Sequence, residues 1–130
     1  MTTTMAPSET LDRRSAARIG SIVIARHGQP HADRSVRIDH HGYRDWWAGY
    51  DRSSLHPDEK PPETLVQLAQ ASDFIFASTL PRAIHTAEMV AGGRQVITDP
   101  VFVEAPLPPP PVWGKRTPEA WGVWARISWW

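Results

Sequence analysis

The sequence predicts an α/β fold built on a buried sheet, with its ligand site at the carboxyl ends of the strands. Three observations lead there. The run Ser21-Ile22-Val23-Ile24-Ala25 is apolar, rich in β-branched residues, and breaks into Arg26-His27-Gly28-Gln29. Such residues suit a pleated strand, and a short continuous apolar run reads as one covered on both faces. A second apolar run, Phe74-Ile75-Phe76-Ala77, precedes a helical pattern from Pro81 to Ala91. A third, short strand is expected at Gln95–Thr98. A charged Arg26 and a titratable His27 thus stand at a strand end, where open α/β sheets keep their ligands.

Composition narrows the function classes. A chain of 130 residues is enough for one domain with its own core. With 14 Lys+Arg against 14 Asp+Glu, there is no basic excess of the kind nucleic-acid partners need. The absence of cysteine removes disulfides, thiol chemistry and thiolate metal sites. No apolar stretch is long enough to span a membrane, and the first residues lack the hydrophobic centre of a secretory signal. A cytoplasmic protein with no membrane partner is the expectation.

In chain order, residues 1–18 are polar and weakly patterned and are expected to form a disordered leader, with the domain running from 19 to 130. Ile19–Ala25 is expected to be the first strand. Gln29–Tyr50 reads as a long polar loop. His40-His41 are solvated there, since no carboxylate or Cys cluster stands at ligand spacing. Trp46, Trp47 and Tyr50 are expected to pack over the core edge, with walling of an active-site cleft as the lesser alternative. Pro62–Ala71 reads as a helix with Leu65, Val66, Leu68 and Ala69 on one stripe. The helix from Pro81 stops at Gly92-Gly93, and Arg82 falls in its first turn, where outward-pointing N–H groups favour anions. Val101–Glu104 is expected to run extended toward the site. The proline run from Pro106 to Pro111 reads as a stiff polyproline II loop. Thr117-Pro118-Glu119 is a helix start, and the helix carries Trp121, Trp124 and Ile127 on overlapping faces.

The Arg26-His27-Gly28 run resembles the signature of the histidine phosphatase superfamily, also called phosphoglycerate mutase-like. Ser78-Thr79-Leu80-Pro81-Arg82-Ala83 followed by Thr86-Ala87 resembles its second motif, and Glu104 follows in the family's order. The resemblance spans Ser21 to Glu104. It implies a three-layer αβα sandwich with a mostly parallel sheet. It further implies that His27 attacks a phosphate ester and becomes phosphohistidine, that Arg26 and Arg82 hold the phosphate, and that Glu104 protonates the leaving oxygen. Gly28, Gln29 and Ser78 would supply loop contacts. The substrate would be a phosphorylated small molecule, with no metal and no cofactor.

The residue types suit that chemistry. A neutral imidazole is a good nucleophile near pH 7. Forked guanidinium groups neutralise and orient a phosphate dianion. A carboxylic acid can protonate a poor leaving group as it departs. The sequence also departs from the family. The family's second, late histidine has no counterpart, because none of the 26 residues after Glu104 is His. The end at Trp129-Trp130, with no cap or polar tail, reads as a domain truncated at its C-terminus, whose sheet is incomplete. The truncated chain is expected to be nearly inactive and to self-associate through Trp121, Trp124, Trp129 and Trp130. The alternative is a catalytically inactive module that binds phosphate or acts as a scaffold.

Overall fold

The computed structural model describes residues 20–130; the expected leader and Ile19 lie outside them. Those residues form a mixed helix-and-strand structure with four α-helices and a two-stranded parallel sheet. The helices are α1 (His40–Arg52), α2 (Glu63–Ala71), α3 (Pro81–Ala91) and α4 (Pro118–Ser128). The strands are β1 (Phe76–Ala77) and β2 (Ile97–Thr98).

β1, α3 and β2 make one βαβ unit, with Phe76 opposite Ile97 and Ala77 opposite Thr98. The backbone ladder extends one step each way, through Ile97 N–H to Ile75 O at 2.9 Å and Asp99 N–H to Ala77 O at 3.0 Å. The α3 boundaries match those read from the sequence. Pro81 opens the helix, and Gly92 closes it at φ 59°, a left-handed conformation that glycine adopts without a Cβ clash.

Three expectations about strands are corrected. Ser21–Ala25 forms no strand, and Ile22 and Ile24 are 87% and 92% exposed. β-Propensity records how well a side chain fits a pleated, half-buried surface. Here an open cavity lies between this run and Phe74–Ala77, and no ladder forms across it. The Phe74 run shortens to β1 for the same reason: only its β2 edge has a partner. Val101–Glu104 is not extended along a sheet. Asp99 caps a 3₁₀ turn at Pro100–Phe102 by accepting from Val101 N–H at 2.8 Å, and Pro100 supplies the first-turn φ.

A fourth correction concerns the segment read as a loop, whose second half is α1. Asp39 is its N-cap, accepting from Gly42 N–H at 2.8 Å. His40 and His41 are therefore first-turn residues of a helix. Tyr43, Trp46, Trp47 and Tyr50 stand at i, i+3, i+4 and i+7, one helical face, and stack on one another with ring centroids 5.1–6.2 Å apart. The Gly42 bond holds the Asp39 carboxyl below the usual carboxylate range. A lowered folded-state value means a contribution to stability that is present above the ordinary Asp pKa and lost as pH falls through the folded one. Asp39→Ala is therefore expected to lower the melting temperature at pH 7. The gap from wild type should close below about pH 4, as thermal melts at both pH values would record. A gap that persisted in acid would exclude the cap as its source.

α4 packs on α1. Thr117 caps it, accepting from Ala120 N–H at 3.4 Å, with Pro118 in the first turn as the sequence implied. Trp121 is fully buried, contacts the Tyr43 ring at 6.1 Å between centroids, and donates Nε1–H to Ile38 O at 2.6 Å. The expectation that Trp121 lacks a partner surface is thus corrected; Trp124, Trp129 and Trp130 remain exposed. Tyr43 is buried beside it, and burial pushes its phenol above the ordinary range. A short antiparallel bridge, Ile38 with Arg116, ties the start of α1 to the approach to α4. Among the described residues no helix is long and apolar enough to cross a membrane.

Candidate functional site

The site lies where the Arg26-His27-Gly28 turn meets the first turns of α3. Two hydrogen bonds fix the approach. Gly28 N–H donates to Thr86 Oγ1 at 3.0 Å, and Thr86 Oγ1 donates to Arg82 O at 2.8 Å. One hydroxyl thus ties the turn to the helix at the level of Arg82. The turn passes close to Glu59: a Cβ at position 28 would lie 2.8 Å from its Cγ and Oε1, so a larger residue there would have to turn the Glu59 side chain aside.

His27 Nδ1 lies 2.7 Å from Gly28 O. A carbonyl only accepts, so Nδ1 carries the proton, and in the neutral ring the lone pair falls on Nε2. The ring meets Tyr50 edge-on at 6.5 Å between centroids. His27 therefore has the tautomer of a nucleophile or a general base at Nε2.

Arg82 is 1% exposed. Its guanidinium does not point outward with the α3 N–H groups, as its place in the first turn suggested. It turns to the C-terminal end of α1, donating Nη1–H to Tyr50 O at 3.1 Å and Nη2–H to Asp51 Oδ1 at 3.2 Å. Its Cζ stands 4.4 Å from the Tyr50 ring centroid, a cation–π contact. Its Nε is buried with no hydrogen-bond partner.

One open cavity of about 710 Å³ gathers Arg26, His27, Ser78, Arg82 and Glu104 along its wall. A smaller one of about 260 Å³ is lined by His27, Gly28, Glu59 and Thr86. Five of the seven residues singled out from the sequence thus share one cavity, and Gly28 adjoins it. Ser78 is buried at the entry to α3, its Oγ 3.5 Å from Leu80 N. Arg26 and Glu104 are exposed at the cavity wall. Gln29 is the residue not brought in. Its carbonyl accepts from His56 N–H at 2.8 Å, next to the Pro30–Leu55 bridge.

Sequence reasoning missed Asp51 and Thr86, and took Tyr50 for a core-edge ring with a cleft wall as the lesser alternative. Thr86 stood inside the second motif with no role attached. Tyr50 and Asp51 carried a signal in the aromatic spacing that runs from Tyr43, which would have placed both on the last turn of a helix. Among the described residues no group of three or more His, Asp or Glu is placed to hold a metal ion. Comparison of the chain with family models, curated proteins and solved structures finds no match.

Proposed function

We propose that this chain handles phosphomonoesters in the manner of the histidine phosphatases, on the three-layer αβα plan of that family, as a cytoplasmic protein. The observation that carries the proposal is the shared cavity. His27 with a free Nε2 and the cationic Arg26 and Arg82 line one space, and the Gly28–Thr86–Arg82 hydrogen bonds hold the His27 turn against α3.

In this reading Nε2 of His27 attacks phosphorus as the P–O ester bond breaks. The departing alkoxide takes a proton from Glu104. Water then attacks the phosphohistidine, Glu104 accepts its proton, and inorganic phosphate leaves with His27 restored. Arg26 and Arg82 balance the phosphate charge throughout, and electrostatic positioning of this kind dominates phosphoryl transfer. The reading invokes no cofactor. The exposed apolar side chains of Trp113, Trp124, Trp129 and Trp130 support self-association as its accompaniment.

A second reading, a module that binds phosphate without turning it over, is favoured by the missing late histidine, since none of the residues after Glu104 is His. The two separate on one experiment. Labelled phosphomonoesters are mixed with the chain, quenched without acid, and the protein is assayed for acid-labile label. The first reading expects a faint acid-labile label on His27, turnover being slow without the family's late histidine, and loss of that label in His27→Ala. Phosphate binding with no label in any sample selects the second. Label undiminished in His27→Ala removes His27 as the nucleophile.

A further inference from the structure

We propose that Asp51 is a built-in competitor for the anion at Arg82, so that substrate phosphate enters by displacing the Asp51 carboxylate. The proposal rests on the reading of Arg82 as an anion-holding residue and goes beyond it by naming what holds the place.

The geometry sets Asp51 apart from an ordinary structural ion pair. Arg82 is buried and its guanidinium offers five donors. Nη1 is taken by the Tyr50 carbonyl, which no anion needs to move. Asp51 takes Nη2 through one oxygen at 3.2 Å. Carboxylates that grip arginine firmly use both oxygens and lie closer, at about 2.7–2.9 Å. Nε is left buried and unpaired on the same fork. Asp51, tethered at the end of α1, covers one donor and leaves another open, whereas a free phosphate can seat square on the fork and cover both.

The backbone position of Asp51 points the same way. It lies in the last turn of α1, which ends at Arg52. The unpaired carbonyls there make the helix C-terminus an unfavourable place for an anion. Arg82 is the cation bonded to Asp51 against that field. The Asp51 side chain is 39% exposed, so it has water to turn into when released, while Arg82 at 2% has none. Of the pair, the acid is the member free to leave. Its negative charge also sets a threshold, since an incoming ligand must outcompete a carboxylate, which favours dianionic phosphate over singly charged anions.

Calorimetric titration of the full chain with inorganic phosphate at pH 7 tests this. Asp51→Asn keeps the shape and one acceptor but removes the charge, and it is expected to bind phosphate about three- to tenfold more tightly than wild type. Asp51→Glu keeps the charge and should stay near wild type. Equal or weaker binding by Asp51→Asn, with wild type still binding, overturns the competitor and leaves the anion site standing. Equal tightening by Asp51→Glu also overturns it, since loosened packing rather than charge would be responsible. Phosphate binding by neither wild type nor Asp51→Asn overturns both. A measurement on wild type alone covers the case in which a variant does not fold. The Asp51 carboxyl carbon and the Arg82 Nε–H resonances should move together, with one midpoint, as phosphate is added. An Asp51 signal that stays still while Arg82 moves rules the displacement out.

Discussion

Replacing Trp121 with alanine is expected to cost about 3–5 kcal/mol of folding stability. The side chain is fully buried, so its removal leaves a cavity that neighbouring rings only partly fill. It also removes the Nε1–H bond to Ile38 O at 2.6 Å, leaving that carbonyl with Arg116 N–H alone, and it removes the ring over which Arg116 lies at 5.0 Å. A domain has only about 5–15 kcal/mol in total, so the loss is a large share of it and the variant should melt well below wild type. Trp121→Phe keeps most of the apolar volume and loses the hydrogen bond, so its loss should be smaller. Trp124, on the same helix but 42% exposed and also under Arg116 at 5.1 Å, is the comparison, and Trp124→Ala should cost only about 1 kcal/mol. Urea denaturation midpoints decide it, and a Trp121→Ala midpoint equal to that of Trp124→Ala would show that the helix pair is not the core.

Arg82→Ala is expected to lose about 2 kcal/mol and, with it, measurable phosphate binding. The two losses have one origin. The guanidinium satisfies the Tyr50 carbonyl, pairs with Asp51 and lies on the Tyr50 ring. Removing it takes one of three donors from the Tyr50 carbonyl, which keeps Ser53 N–H and Oγ–H, uncovers the Tyr50 ring and releases the half-exposed Asp51 carboxylate to water. Arg82→Lys should not restore the protein, because an ammonium on a flexible stem cannot reach two acceptors in the plane of a fork. Arg82→Lys retaining both stability and phosphate affinity would show that only the charge matters. Denaturation and phosphate titration on the same samples provide the test.

How far the sequence could be read follows from which interactions are local. α3 was legible to the residue because its stop and start are local chemistry: Pro81 fixes the first φ and Gly92 adopts the left-handed one. The start of α4 was legible at Thr117-Pro118 for the same reason. Ser21–Ala25 was misjudged because a strand is a property of two segments, and the sequence of one does not report whether the other arrives. α1 was missed although its signal was present. Asp39 stands at the N-cap and four aromatic rings follow at helical spacing, but the polar composition from Gln29 onward and the paired histidines read as a loop. For the site, residue identity was legible and orientation was not. Arg82 sits in the first turn of α3 as expected, yet its direction is set by Tyr50 and Asp51, more than thirty positions upstream.

That direction makes Arg82 a joint between two bodies of the molecule. Its backbone belongs to the βαβ unit, while its guanidinium is bonded to α1 and through it rests on the aromatic packing with α4. Free energy exchanged across such a joint is symmetrical. If occupancy of the anion site alters the hold of Arg82 on the end of α1 by some factor, then seating α1 against α4 alters anion affinity by that same factor. A substitution at the α1–α4 contact, far from His27, is then felt in the cavity through Arg82, with no change in any residue that lines it.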